Sequence, residues 1–257
     1  MITDLRESYW IPTKESMVLR NLKDENANWD REKYLSRVLD IYNYLYDEMW
    51  NRSTFNSIGS VYEVGGLYVD KDDVVVDLGA NVGIWGCRAM SAGAKEVFCF
   101  EPTFKSFNCL SLNCFGNMHP FCLALSDSKK LVKLPVWDTG DSVGSCVHDV
   151  CDDTIAPNEP QGSFITALTV TLNDLFDYKL FDHIDYLKID IEGQEDKLIY
   201  STSMDNLEKI NKISMEYHSW TKSSSEEVIG YLVRRGFKHK FTFSMNDGNK
   251  IITMRRR

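Results

Sequence analysis

The chain has 257 residues, enough for one large α/β domain or a domain with an extension. A hydrophobic share of 43% is ordinary for a folded globular protein, and a net charge of −9 argues against a broad nucleic-acid-binding surface. No apolar run is long enough to span a bilayer, and the first residues do not read as a secretion signal. The 7 cysteines include no Cys-x-x-Cys pair and read as reduced thiols of a cytoplasmic protein. Residues 1–27 lack periodicity and read as an arm. Leu35, Val38, Leu39, Tyr42, Leu45, Tyr46 and Met49 then recur at three- and four-residue steps, one apolar stripe along a helix over 30–50. That helix packs on the main domain, covers a ligand as a lid, or offers a face for a homo-oligomer. Residues 1–60 are therefore an N-terminal arm and helix, and 61–257 the main domain. The stretch 51–68, with Gly59, Gly65 and Gly66, reads as a loop leading to an edge hairpin.

The segment Val74-Val75-Val76-Asp77-Leu78-Gly79-Ala80-Asn81-Val82-Gly83 has the pattern of a buried strand, a tight turn and a helix start. Its Gly79-x-x-x-Gly83 spacing is not the Gly-x-Gly-x-x-Gly that seats a pyrophosphate on a helix N-terminus. An acid, Asp77, stands ahead of the glycines and suits a ligand carrying positive charge. S-adenosyl-L-methionine, with its sulfonium and ammonium, fits that description; the plain alternative is an ordinary Asp-x-Gly turn. Asp77, Gly79, Ala80, Asn81 and Gly83 are the residues expected at this cofactor. A second apolar strand ends in Glu101, about twenty residues after the glycine turn, where a carboxylate accepts hydrogen bonds from ribose hydroxyls. Pro102 stiffens the turn behind it.

Residues 103–114 read as a helix and Phe121–Leu125 as a third strand. Ser126 and Asp127 at its end are expected near the adenine, or form an Asx-type turn. After a short strand over 131–136, the Asp-, Gly- and Ser-rich stretch 138–162 has the length of a functional loop and is expected to wall the substrate site. A strand over 166–170 and a helix from Leu172 follow. Within that loop Cys146, His148 and Cys151 lack a fourth ligand for structural zinc, so no metal site is expected there. In Asp185–Glu192, Leu187, Ile189 and Ile191 alternate with Lys188 and Asp190. Charges on a central parallel strand are costly unless they pair or work. Lys188 and Asp190 are thus either a structural pair or a catalytic floor. Over 212–218, Ile213, Met215 and Tyr217 alternate with Ser214, Glu216 and His218, bringing a carboxylate and an imidazole to the end of a fifth strand. A helix over 223–235 and two strands around Asn246-Asp247-Gly248 close the chain as an antiparallel hairpin.

The blocks Val76–Gly83, Phe100-Glu101-Pro102, Ala124–Asp127, Thr171–Leu175 and Leu187–Glu195 resemble, in order, those of the FkbM family of S-adenosylmethionine-dependent methyltransferases. The resemblance covers about residues 63–220. It implies a doubly wound, mostly parallel seven-stranded α/β sheet of the class I methyltransferase type (Rossmann-like), with a helical N-terminal extension. It also implies O-methylation of a hydroxyl on a sugar, glycan or small metabolite. Lys188, Asp190, Glu216 and His218 are the catalytic candidates. Three other readings stay open: a magnesium-assisted enzyme with Asp190, Glu192 and Glu216 as ligands, a ribose 2′-O methyltransferase, and a non-catalytic cofactor-binding partner subunit. Nucleic acid is not the expected acceptor, given the acidic charge.

Overall fold

The computed structural model describes residues 61–135, 148–149, 164–245 and 248–256. The expected arm and helix of 1–60 and nearly all of the 138–162 stretch lie outside the described residues. Seven strands build the main sheet: β1 (Val74–Leu78), β2 (Glu96–Phe100), β3 (Met118–Phe121), β8 (Ile184–Ile189), β9 (Ile210–Tyr217), β10 (Lys238–Ser244) and β11 (Lys250–Arg255). Their order is β10-β11-β9-β8-β1-β2-β3. From β3 to β9 all neighbours run parallel, while β11 lies antiparallel between β9 and β10. The order reverses between β1 and β8, so a crevice opens beyond their carboxyl ends. A second, four-stranded sheet has the order β4-β7-β5-β6, from β4 (Ala124–Leu125), β5 (Leu131–Pro135), β6 (His148–Asp149) and β7 (Phe164–Val170). The helices are α1 (Ile84–Ser91), α2 (Phe104–Asn113), α3 (Leu172–Asp177), α4 (Glu195–Ser201), α5 (Met204–Leu207) and α6 (Ser225–Arg234).

Apolar residues alternate between two cores because both faces of the parallel strands are covered. Val74, Val76 and Leu78 join Leu187, Ile189, Val228 and Leu232 on one face. Val75 joins Tyr186, Val97 and Trp85 on the other. Each such side chain contributes about 1.5–3 kcal/mol by leaving water. Asp77 follows Val75 by two, so it shares the second face; Lys188 follows Tyr186 by two and stands directly across from it. The strand period thus places a carboxylate and an ammonium side by side inside the protein. Capping boxes start two helices: Thr171 with Asp174 on α3, and Ser224 with Glu227 on α6. Each satisfies two otherwise orphaned backbone N–H groups.

Three details differ from the sequence reading. The segment 121–125 is not one strand: β3 ends at Phe121, and Ala124–Leu125 turns away to pair with β7 in the second sheet. The fourth parallel strand stops at Ile189, after which Glu192 takes a left-handed φ of 54° that alternation cannot foresee. Among the described residues before β1 there is no hairpin; Gly65 and Gly66 form a turn with positive φ.

Candidate active site

Glycine is required at position 79 for a reason of packing. Its φ is +74°, and any Cβ would collide with the carbonyl oxygen of Asp190. The turn after β1 therefore fits against the turn after β8. The amides of Gly79 and Ala80 donate to the Phe100 carbonyl at 3.0 and 2.9 Å, which ties the same turn to the end of β2. Glu101 is buried there and accepts hydrogen bonds from the Asn81 amide (2.9 Å) and the Thr103 amide (2.8 Å). Burial pushes its carboxyl up to about 7, against the opposing effect of those amides. Gly79, Asn81 and Glu101, with Leu125, Leu134 and Asp190, line a cleft that is partly open to solvent.

On the other side of the cleft stands a charged network. Lys188 is buried and its Nζ lies 3.1 Å from Asp77 Oδ1 and 3.6 Å from Asp190 Oδ2. It also donates to the Gly79 carbonyl at 2.7 Å. Burial opposes its charge, and the carboxylates of Asp77 and Asp190 outweigh it, so its pKa is raised. Tyr62 donates its phenol proton to Asp190 Oδ2 at 2.8 Å, with Glu216 Oε2 3.2 Å away. Burial, reinforced by those two carboxylates, pushes the phenol well above its ordinary range, so it stays a donor. Glu216 is raised by burial and by Asp190, and accepts from Asn249 at 3.1 Å. His218 is buried, its Nδ1 2.9 Å from Glu195 Oε1. Its Nε2 lies 3.2 Å from Glu192, 3.7 Å from Glu216 and 3.9 Å from Asp190. Burial works against a charged ring, but the bonds to Glu192 and Glu195 push it up to about 11.

Lys188, Asp190, Glu216 and His218 are thus gathered into one network, and Asp190 reaches the same cleft as Gly79, Asn81 and Glu101. Asp77 is wholly buried and meets Lys188 from below, the nearer of that lysine's two carboxylates. Gly83 packs under Leu110, and Ala80 is buried. Ser126 is buried with its hydroxyl between Asp127 and Gln194, and Asp127 pairs with Lys130. Tyr62 and Glu195 were missed. Tyr62 sits in a stretch without periodicity, and nothing local marks it. Glu195 falls inside the block Leu187–Glu195, so its presence was visible but its partner was not.

A model of the methyltransferase FkbM domain matches residues 77–239. The chain belongs to this family. It is a methyltransferase, and S-adenosyl-L-methionine is its methyl donor. Fibrillarin from Aeropyrum pernix, with natively bound S-adenosyl-L-methionine, is 12% identical at a TM-score of 0.47, over 77% of this chain and 73% of that one. TrmK from M. capricolum, in complex with S-adenosyl-homocysteine, is 11% identical at a TM-score of 0.43, over 78% and 68%. A ribosomal protein L11 methylase from Lactobacillus delbrueckii subsp. bulgaricus is 12% identical at 0.41, over 80% and 79%. No curated protein matches the chain.

Proposed function

We propose that this FkbM methyltransferase methylates a hydroxyl oxygen of a sugar or small metabolite, with Asp190 as the group that orients the acceptor and takes its proton. The observation that carries this is a carboxylate at 23% side-chain exposure, fixed by Tyr62 at 2.8 Å, on a cleft it shares with Glu101. The cleft suits the cofactor. Glu101 uses two of its lone pairs on backbone amides and keeps acceptor capacity for ribose hydroxyls. Gly79, Ala80 and Asn81 would flank the cofactor with backbone, while Ser126 and Asp127 lie at the end of β4. Asp77 and Gly83 support the turn from beneath. S-adenosylmethionine, when bound, supplies the electrophilic methyl group. The protein must align the acceptor, exclude water and receive one proton. Lys188 and Tyr62 hold Asp190 in place for that, and Glu216 and His218 extend the polar wall. The same reading makes 61–257 the catalytic domain, with 1–60 its arm and helix, in a cytoplasmic protein.

The test is transfer of labelled methyl from S-adenosylmethionine to a panel of sugars, glycosides and hydroxylated metabolites, with an RNA oligonucleotide alongside. Label on a hydroxyl oxygen of a small acceptor is expected. Label on the RNA alone, or on nitrogen or carbon, contradicts the reading.

A further inference from the structure

Among the described residues, carboxylates outnumber cations around His218. Five of them, those of Asp77, Asp190, Glu192, Glu195 and Glu216, converge there on two groups able to carry positive charge, Lys188 and His218. None of the five side chains is more than 23% exposed. A surplus of negative charge held away from water is costly unless a cation joins it. The carboxylate of Glu195 adds a second, separate sign. It is fully buried and directed at Nδ1 of His218, its Oε1 held by the amides of Ile191 and Gly193, while Oε2 has no hydrogen-bond partner among the described residues. A buried carboxylate on one ring nitrogen is the arrangement that turns the other nitrogen toward a metal and raises its basicity. Here that other nitrogen, Nε2, faces Asp190 and Glu192, and a metal bound there would displace the proton it otherwise gives to Glu192.

We propose that Asp190, Glu192 and His218 bind one divalent cation. One ligand atom from each lies within 4.8 Å of the others. Donors at about 2.0–2.6 Å from a single ion are spaced on that scale. Carboxylates suit magnesium and manganese, and an imidazole shifts the preference toward transition metals, so Mn²⁺ satisfies both. The balancing positive charge has a second source, the cationic groups of the cofactor itself, and the test separates the two. In place, the metal would stabilise negative charge developing on the acceptor oxygen, while Asp190, ligating with one carboxylate oxygen, would keep the other for the acceptor's proton. This deepens the proposed O-methylation and rests on it for purpose, but metal binding itself is measured without acceptor.

Mn²⁺ is titrated into the full chain and the free ion followed by electron paramagnetic resonance, first alone and then with S-adenosylmethionine present. One saturable site per chain is expected, retained with the cofactor bound. Glu192→Gln and His218→Gln should each weaken it by at least about tenfold. Glu192 is the more exposed residue, so its variant decides should His218→Gln fail to fold. Absence of saturable binding, displacement of Mn²⁺ by S-adenosylmethionine, or full binding by Glu192→Gln overturns the metal site. A protein that methylates a sugar while binding no metal overturns this inference and leaves the acceptor reading standing.

Discussion

Two buried lysines stand on neighbouring strands of the same sheet, at opposite ends. Lys212 on β9 lies near the amino ends, with Asp73 at 2.7 Å, Asp70 at 2.8 Å and the Tyr68 carbonyl at 3.0 Å. Lys188 on β8 lies toward the carboxyl ends, with Asp77 and Asp190. By residue type the two clusters are alike. They differ in what surrounds them: Asp70 is 69% exposed and lets its charge into water, whereas Asp77 is fully enclosed and Asp190 borders a further group of acids. Burial of a charged pair therefore does not mark function by itself. What sets the Lys188 end apart is the surplus of carboxylates among the described residues, next to a cleft at the point where the strand order reverses.

Removing each lysine should separate the two ends most strongly. Lys188→Met should destabilise the protein by about 3–5 kcal/mol, because Asp77 is left buried and unpaired. Lys212→Met should cost less, about 1–2 kcal/mol, since Asp70 regains full hydration and Asp73 keeps the Asp70 amide as a donor. Urea unfolding at pH 7 measures both, and equal costs would erase the distinction between the two ends. Asp190→Asn should separate stability from turnover. With Asp77 still holding Lys188, melting should shift little while turnover falls by roughly 10²–10⁴-fold. A large loss of stability with unchanged turnover per folded molecule would return Asp190 to the structural class of Asp73.

A smaller effect concerns pH. Glu101 is raised from 4.5 to about 7 in the fold, so the folded state favours its protonated form. Its contribution to the stability of the cofactor-free protein is complete below pH 4.5 and lost as pH rises through about 7. In the proposed cofactor site the carboxylate is the form that would accept ribose hydroxyls. Affinity for S-adenosylhomocysteine should thus rise by up to about tenfold from pH 6 to pH 8, and Glu101→Gln should flatten that rise. A rise of the same size in the variant assigns the titration to another group.

Much of the β1 end was legible because its signals are local. Val74–Leu78 is a strand by its apolar run, Gly79 a turn by its lack of a side chain, and Glu101 is an acid at a known distance along the chain. Even there, the reason for Gly79 was nonlocal: the carbonyl of Asp190, 111 residues onward, occupies the space a Cβ would need. At the β8 end alternation exposed Lys188, Asp190, Glu216 and His218 and the Lys188–Asp190 pair, yet not the partners that come from elsewhere in the chain. Tyr62 meets Asp190 across 128 positions and Glu195 meets His218 across 23, contacts that no periodicity encodes. The split of 121–125 between two sheets was equally hidden, since both halves are apolar.

In the proposed reading, the cleft at the carboxyl ends of β1, β2 and β8 holds the cofactor. Calorimetric titration of S-adenosylhomocysteine into Glu101→Ala tests it most directly. Loss of a buried acceptor for the ribose hydroxyls should weaken binding by about 1–3 kcal/mol, measured well below the melting temperature of the variant, which falls because the Asn81 and Thr103 amides lose their acceptor too. Unchanged affinity in the folded variant would contradict the assignment and move the cofactor away from this cleft.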